Sequence, residues 1–155
     1  MDDGIVLRFA NSDERTPAMD RISKAKRSSL MKSVSSGNTK PEILVRKLLH
    51  KLGFRFRLRR KDLPGKPDIV LPKYNTVIFV HGCFWHGHDC PKGKRPTTNE
   101  AFWNKKLGDN IVRDKKHNQH LEQLGWSVIV VWECELKQEK SVEERLLKIR
   151  DQHGQ

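Results

Sequence analysis

Val77-Ile78-Phe79-Val80-His81-Gly82-Cys83-Phe84-Trp85-His86-Gly87-His88-Asp89-Cys90 passes in fourteen residues from a β-branched apolar run to a loop dense in imidazole and thiol. The first part reads as a strand over Thr76 to Val80. An earlier run, Asp68-Ile69-Val70-Leu71, is joined to it by Pro72-Lys73-Tyr74-Asn75, so the two form a hairpin. Pro67-Asp68 therefore places a carboxylate at the start of one strand, facing the end of its neighbour. Hard oxygen ligands set out this way suit a hydrated magnesium ion in phosphodiester cleavage.

The loop from Gly82 to Thr98 is irregular, and about seventeen residues without secondary structure need an anchor. Cys83, His88 and Cys90 lie within eight residues, and Cys134 follows the apolar run that ends at Trp132. Three thiolates and an imidazole make a tetrahedral zinc set. His86 competes with His88 for the fourth place, because Cys-x-x-His is equally feasible and spacing alone does not choose.

Outward from this centre the chain reads helix, helix, strand, strand, strand, helix, strand, helix: an α/β mixed sheet flanked by helices. Residues 1 to 20 read as a flexible polar leader, and 21–152 as a single domain. A basic, weakly helical stretch runs from Asp20 to Val34, with Leu30, Met31 and Val34 on one face. Thr39 to Glu42 has capping-box spacing with Pro41 in the first turn, and Gly53 ends that helix. Phe54 to Leu58 alternates as a half-buried strand. A helix spans Asn99 to Leu124, with an interruption expected near Gly108. Trp126 to Trp132 reads as the central strand, and Ser141 to Glu144 as a second capping box opening the terminal helix.

Thirty-one Lys and Arg against nineteen Asp and Glu give a net charge of +12. A domain this basic expects a polyanion, most often nucleic acid. No run of eighteen apolar residues allows a transmembrane helix, no secretory signal opens the chain, and no long basic amphipathic helix with an aromatic face suits a membrane surface. A cytoplasmic location follows, where the three cysteines stay reduced.

Leu63-Pro64-Gly65-Lys66-Pro67-Asp68, the stretch from Val77 to Cys90, and Gly125-Trp126 through Val131-Trp132-Glu133-Cys134 together closely resemble the very short patch repair (Vsr) endonucleases. Arg27-Ser28 to Met31, Asn38-Thr39-Lys40-Pro41-Glu42 and Glu100-Ala101-Phe102-Trp103 fit as well, so the resemblance covers about residues 20 to 150. It implies a restriction-endonuclease-like fold and a nick on the 5′ side of the thymine in a T:G mismatch, of the kind left when 5-methylcytosine deaminates. It further implies that Asp68 and the main-chain carbonyl of Val80 hold catalytic magnesium, and that His86 moves the proton. Glu42, His81 and Asp114 become supporting polar residues. Cys83, His88, Cys90 and Cys134 hold structural zinc, which resolves the choice between His86 and His88. The chain departs from the wider PD-(D/E)xK pattern, since Val80-His81-Gly82 stands where an acid and a lysine are expected.

Phe84, Trp85 and Trp103 are aromatics in a basic setting, suited to insertion into a base stack. The resemblance gives them that role from the major groove and sets Met31 and Val34 against the bases in the minor groove. Trp126 and Trp132 are expected in the core. Lys and Arg in 24–32, 55–61 and 92–95, with Lys105, Lys106 and Arg113, are candidate phosphate contacts. The expected partner is double-stranded DNA with a T:G mismatch, bound by a monomer, with mismatch-repair proteins as a further partner class. Two alternatives stand beside this reading: a type II-like restriction endonuclease, and a non-catalytic zinc-stabilised DNA-binding module.

Overall fold

The computed structural model describes residues 37–154 and Ala25. The expectations for residues 1–20 and for the basic helix, with Met31 and Val34, lie outside these. Helix α1, Lys40–Lys51, opens as its sequence dictates: the Thr39 side chain accepts from the Glu42 N–H, and Pro41 occupies the first turn. Gly53 ends it at φ +76, a left-handed conformation that a side chain disfavours.

Four strands follow in the order β1 (Arg57–Leu58), β2 (Ile69–Leu71), β3 (Thr76–His81) and β4 (Ser127–Trp132). The β2–β3 hairpin is antiparallel, with Ile69 opposite Ile78, and a short 3-10 turn at Pro72–Tyr74 closes it. β4 runs parallel to β3, with Val80 opposite Val131. A parallel neighbour needs a crossover. Helix α2, Glu100–Gln123, supplies it, and α3, Glu139–Asp151, ends the domain.

Alternation along the strands sorts side chains into two cores. Ile69, Leu71, Ile78 and Val131 face Val45, Leu48 and Leu49 of α1 and Val142, Leu146 and Ile149 of α3. Val70, Val77 and Phe79 face the other way, onto Leu121 of α2, and Trp126 packs there as expected. Each of these buried apolar side chains stabilises the fold by roughly 1.5–3 kcal/mol. Among the described residues, no helix is long and apolar enough to cross a membrane.

Four expectations need correction. Among the described residues β2 and β3 are each flanked on both sides, and β4 is an edge strand. Its apolar run reflects cover on both faces rather than a central place, and the Arg145 guanidinium hydrogen-bonds the Val130 carbonyl on its outer side. The first strand shrinks to two exposed residues, because the Phe54 N–H turns back to the Leu49 carbonyl at the end of α1. α2 passes Gly108 unbroken, since its surroundings are open and nothing there forces a kink. The terminal helix starts at Glu139, before Ser141, because a 3-10 turn at Glu135–Gln138 runs directly into it.

Candidate active site and metal centre

The antiparallel hairpin brings the residue before β2 beside the end of β3. Asp68 there accepts a hydrogen bond from the Val80 N–H at 2.8 Å. In a strand the N–H and C=O of one residue point to the same side, so the Val80 carbonyl faces Asp68 too. Burial pushes the Asp68 carboxyl up to about 6, against the Val80 hydrogen bond that lowers it; Glu42 adds to the rise, while His86 and Arg59 oppose it.

At the tip of β3 the chain turns and stacks His86 on His81, ring centres 3.7 Å apart and planes 4° from parallel. His86 Nδ1 lies 2.5 Å from Asp114 Oδ2 on α2. A carboxylate only accepts, so Nδ1 carries a proton, and in the neutral form of the ring Nε2 is the acceptor. Burial lifts the Asp114 carboxyl, but the hydrogen bond and charge of His86 outweigh it and hold Asp114 below its ordinary value. His81 is buried, and burial with the neighbouring His86 pulls its pKa down to about 4, so it is neutral at pH 7. One ligand atom from each of His81, His86 and Asp114 lies within 4.8 Å of the others; Asp68 is not a member of this group.

A second group interleaves with the first. One ligand atom from each of Cys83, His88, Cys90 and Cys134 lies within 4.8 Å of the rest, and His86 falls outside it. Zinc bonds of about 2.0–2.3 Å require tetrahedral edges of roughly 3.5–3.8 Å, so this donor set fits the ion. His88 Nδ1 stands 3.5 Å from Cys134 Sγ. The loop is a chain of turns: the His88 N–H bonds the Cys83 carbonyl at 2.9 Å and the Gly93 N–H the Cys90 carbonyl at 2.9 Å. At Gly93 a Cβ would fall 1.9 Å from the His88 carbonyl oxygen, so glycine is required for the ligand loop to close. The thiols are pulled apart electrostatically. Burial and neighbouring sulfurs push Cys83 up to about 12. Burial raises Cys90 too, but hydrogen bonds from His88, Cys83 and backbone N–H groups outweigh it and bring Cys90 down to about 7. Three crowded sulfurs cannot all ionise without a cation among them.

Trp132 joins the two groups, contrary to its expected place in the core. Its ring stacks on His88 at 4.2 Å and meets His81 edge-on at 5.2 Å. Phe84, Trp85 and Trp103 do come together, with centroids 5.1–6.3 Å apart. Lys106 lies over Trp85 and Trp103, and Asn110 donates to the Trp85 carbonyl at 2.9 Å. Sequence reasoning missed the Asn110 tether and Gly93; only the Pro-Lys-Gly turn after Cys90 hinted at the latter. Glu42 is buried and engaged at both oxygens. Oε2 accepts from the Asn38 N–H at 3.0 Å and Arg46 at 2.9 Å, and Oε1 from the Thr39 hydroxyl at 3.1 Å.

A mixed sheet with helices on both faces, a carboxylate at one strand start and histidines at the tip of the next is the arrangement of the restriction-endonuclease-like fold. The catalytic domain of the homing endonuclease I-Bth0305I shares this fold, with a TM-score of 0.54 over 74% of this chain and 97% of that one, at 20% identity. The family model described as DNA mismatch endonuclease Vsr matches residues 19–92. Type II nicking enzyme V.XorIIP of Xanthomonas oryzae pv. oryzae is 51% identical over 132 residues, 85% of this chain and 97% of its own length. The DNA mismatch endonuclease Vsr of Escherichia coli K12 is 44% identical over 124 residues, 79% of this chain and 80% of its own. The chain belongs to the Vsr endonuclease family, and it is a nuclease.

Proposed function

We propose that this nuclease nicks one strand of duplex DNA on the 5′ side of the thymine in a T:G mismatch, by magnesium-dependent hydrolysis. The observation that carries the reading is the His86–Asp114 pair, stacked on a neutral His81, on the loop that also presents Phe84 and Trp85. The names of the relatives, a mismatch endonuclease and a nicking enzyme, support a single-strand cut.

In this reading His86 Nε2 takes a proton from the attacking water, and Asp114 stabilises the imidazolium that results. His81 supports the ring of His86 by stacking and adds no competing charge. Asp68 and the Val80 carbonyl are the residues that would hold magnesium, which when bound neutralises phosphate charge and acidifies water. Cys83, His88, Cys90 and Cys134 would hold zinc in a closed set with no open position, so its work is structural. Phe84, Trp85 and Trp103 insert at the mismatch, where a wobble pair yields more easily than a Watson–Crick pair. Glu42 serves as an anchor for cations near Asp68 rather than as a metal ligand, since its oxygens are already engaged.

End-labelled duplexes, T:G-mismatched or fully paired, incubated with and without magnesium test this. Nicking of one strand that needs both mismatch and magnesium is the expected result. Equal cutting of paired duplex would overturn the mismatch requirement, and equal cutting without a divalent ion would overturn the role of Asp68.

A further inference from the structure

Arg59 follows the short strand β1 and carries φ +46, a left-handed conformation that an arginine keeps only where its surroundings hold it there. Its N–H bonds the Asp68 carbonyl at 3.2 Å, so the residue lies directly across the sheet from the catalytic carboxylate. Its guanidinium donates to Asn38 Oδ1 at 3.1 Å and stands 3.6 Å from Glu42 Oε2. That second partner is already served, because Arg46 meets the same oxygen at 2.9 Å. Gly37 makes the placement possible: a Cβ there would fall 1.9 Å from Arg59 Nη2. The side chain is 42% exposed. Backbone strain, a glycine cradle and two acceptors thus hold a planar, half-exposed cation beside Asp68, more charge than Glu42 requires.

We propose that Arg59 is a phosphate-binding residue, whose guanidinium takes an oxygen of the DNA backbone phosphate that lies against the Asp68 end of the sheet. A guanidinium fork fixed at one edge keeps its remaining N–H groups aimed outward, as phosphate recognition asks. The inference rests on the chain acting on DNA, and needs neither the mismatch nor magnesium.

The test measures duplex affinity across a salt series without magnesium, on fully paired and T:G duplexes, for the whole chain and its variants. Melting temperature and zinc content are followed alongside. Arg59→Ala should flatten the slope of log K against log salt by about 0.9, the worth of one phosphate. Arg59→Lys, which keeps the charge but loses the fork held by Asn38, should recover the slope only in part. Gly37→Ala, which evicts the guanidinium without removing its charge, should weaken binding in the parent and not in the Arg59→Ala background. An unchanged slope in Arg59→Ala would overturn the proposal. So would equal weakening by Gly37→Ala in both backgrounds, and full recovery of affinity in Arg59→Lys would replace the fixed fork with a plain surface charge. Equal cutting of paired and T:G duplex with magnesium, together with a flattened slope in Arg59→Ala, would sink the mismatch reading and leave this one standing.

Discussion

The same ten residues, His81 to Cys90, build two polar clusters that differ in kind. Cys83, His88 and Cys90, completed by Cys134, make a closed set of soft donors drawn around one point. His81 and His86, completed by Asp114, make an open set of nitrogen and oxygen groups beside a cleft between α2 and β4. One spends all its donors inward, and the other lines a cleft with His86 and Asp114. Interleaving them along one loop means that whatever fixes the first also fixes the second. Trp132, stacked on His88 and edge-on to His81, is the physical joint.

The largest expected effect breaks the closed cluster. Cys83 is fully buried, so Cys83→Ser leaves a weaker ligand where no water can compensate. Zinc content measured by elemental analysis should fall. Stability from thermal unfolding should drop by roughly 3–5 kcal/mol, and nicking should vanish with it. Retention of full stability without metal would show that the turns and Gly93 hold the loop unaided.

The open cluster should respond in the opposite manner. His86→Ala should lower the nicking rate by about 10²–10⁴-fold, the usual worth of a positioned base, with zinc content unchanged. Full activity in this variant would remove His86 from the mechanism. Asp114→Asn is a milder cut, because an amide oxygen still accepts from Nδ1 and only the stabilising charge is lost. A fall of about 10–100-fold is expected. In a double-mutant cycle it should add nothing once His86 is alanine. Additive losses would mean that Asp114 acts on the DNA rather than through His86.

How much of this was legible in the sequence follows the range of the interactions. The β2–β3 hairpin and the cap at Thr39 are local, and both formed where the residues call for them. The position of β4 at the sheet edge was not legible, since an apolar run reports cover on its faces and says nothing of its lateral neighbours. The cysteine cluster could be read because it gathers every cysteine in the chain. Spacing could not assign His86 and His88, because two imidazoles on one loop fit either cluster; Asp114, twenty-eight residues from His86, decides it in three dimensions. Trp132 misled for a related reason. A tryptophan at the end of an apolar strand looks like core until the histidines that cover it are in place.

Outside both clusters, at Asp68, the expected effect is one of pH. Asp68 has its carboxyl raised to about 6, chiefly by burial, against an ordinary 3.8. A raised folded-state value means that the native protein holds its proton longer than the unfolded chain. The contribution of this group to stability is therefore full below about pH 4 and is lost as pH rises through 6. Asp68→Asn removes that loss and still offers an oxygen to the Val80 N–H. In magnesium-free urea titrations the variant should match the parent near pH 4 and exceed it by about 3 kcal/mol above pH 7. It should do so while being inactive. His81, lowered to about 4, loses its contribution as pH falls from 6.5 toward 4, but it is common to both proteins and cancels. Added magnesium should then stabilise the parent and not the variant, closing the gap from the other side. A variant no more stable than its parent at pH 8 would show Asp68 to be solvated, and the carboxylate would then not be a site where burial reserves a place for a cation.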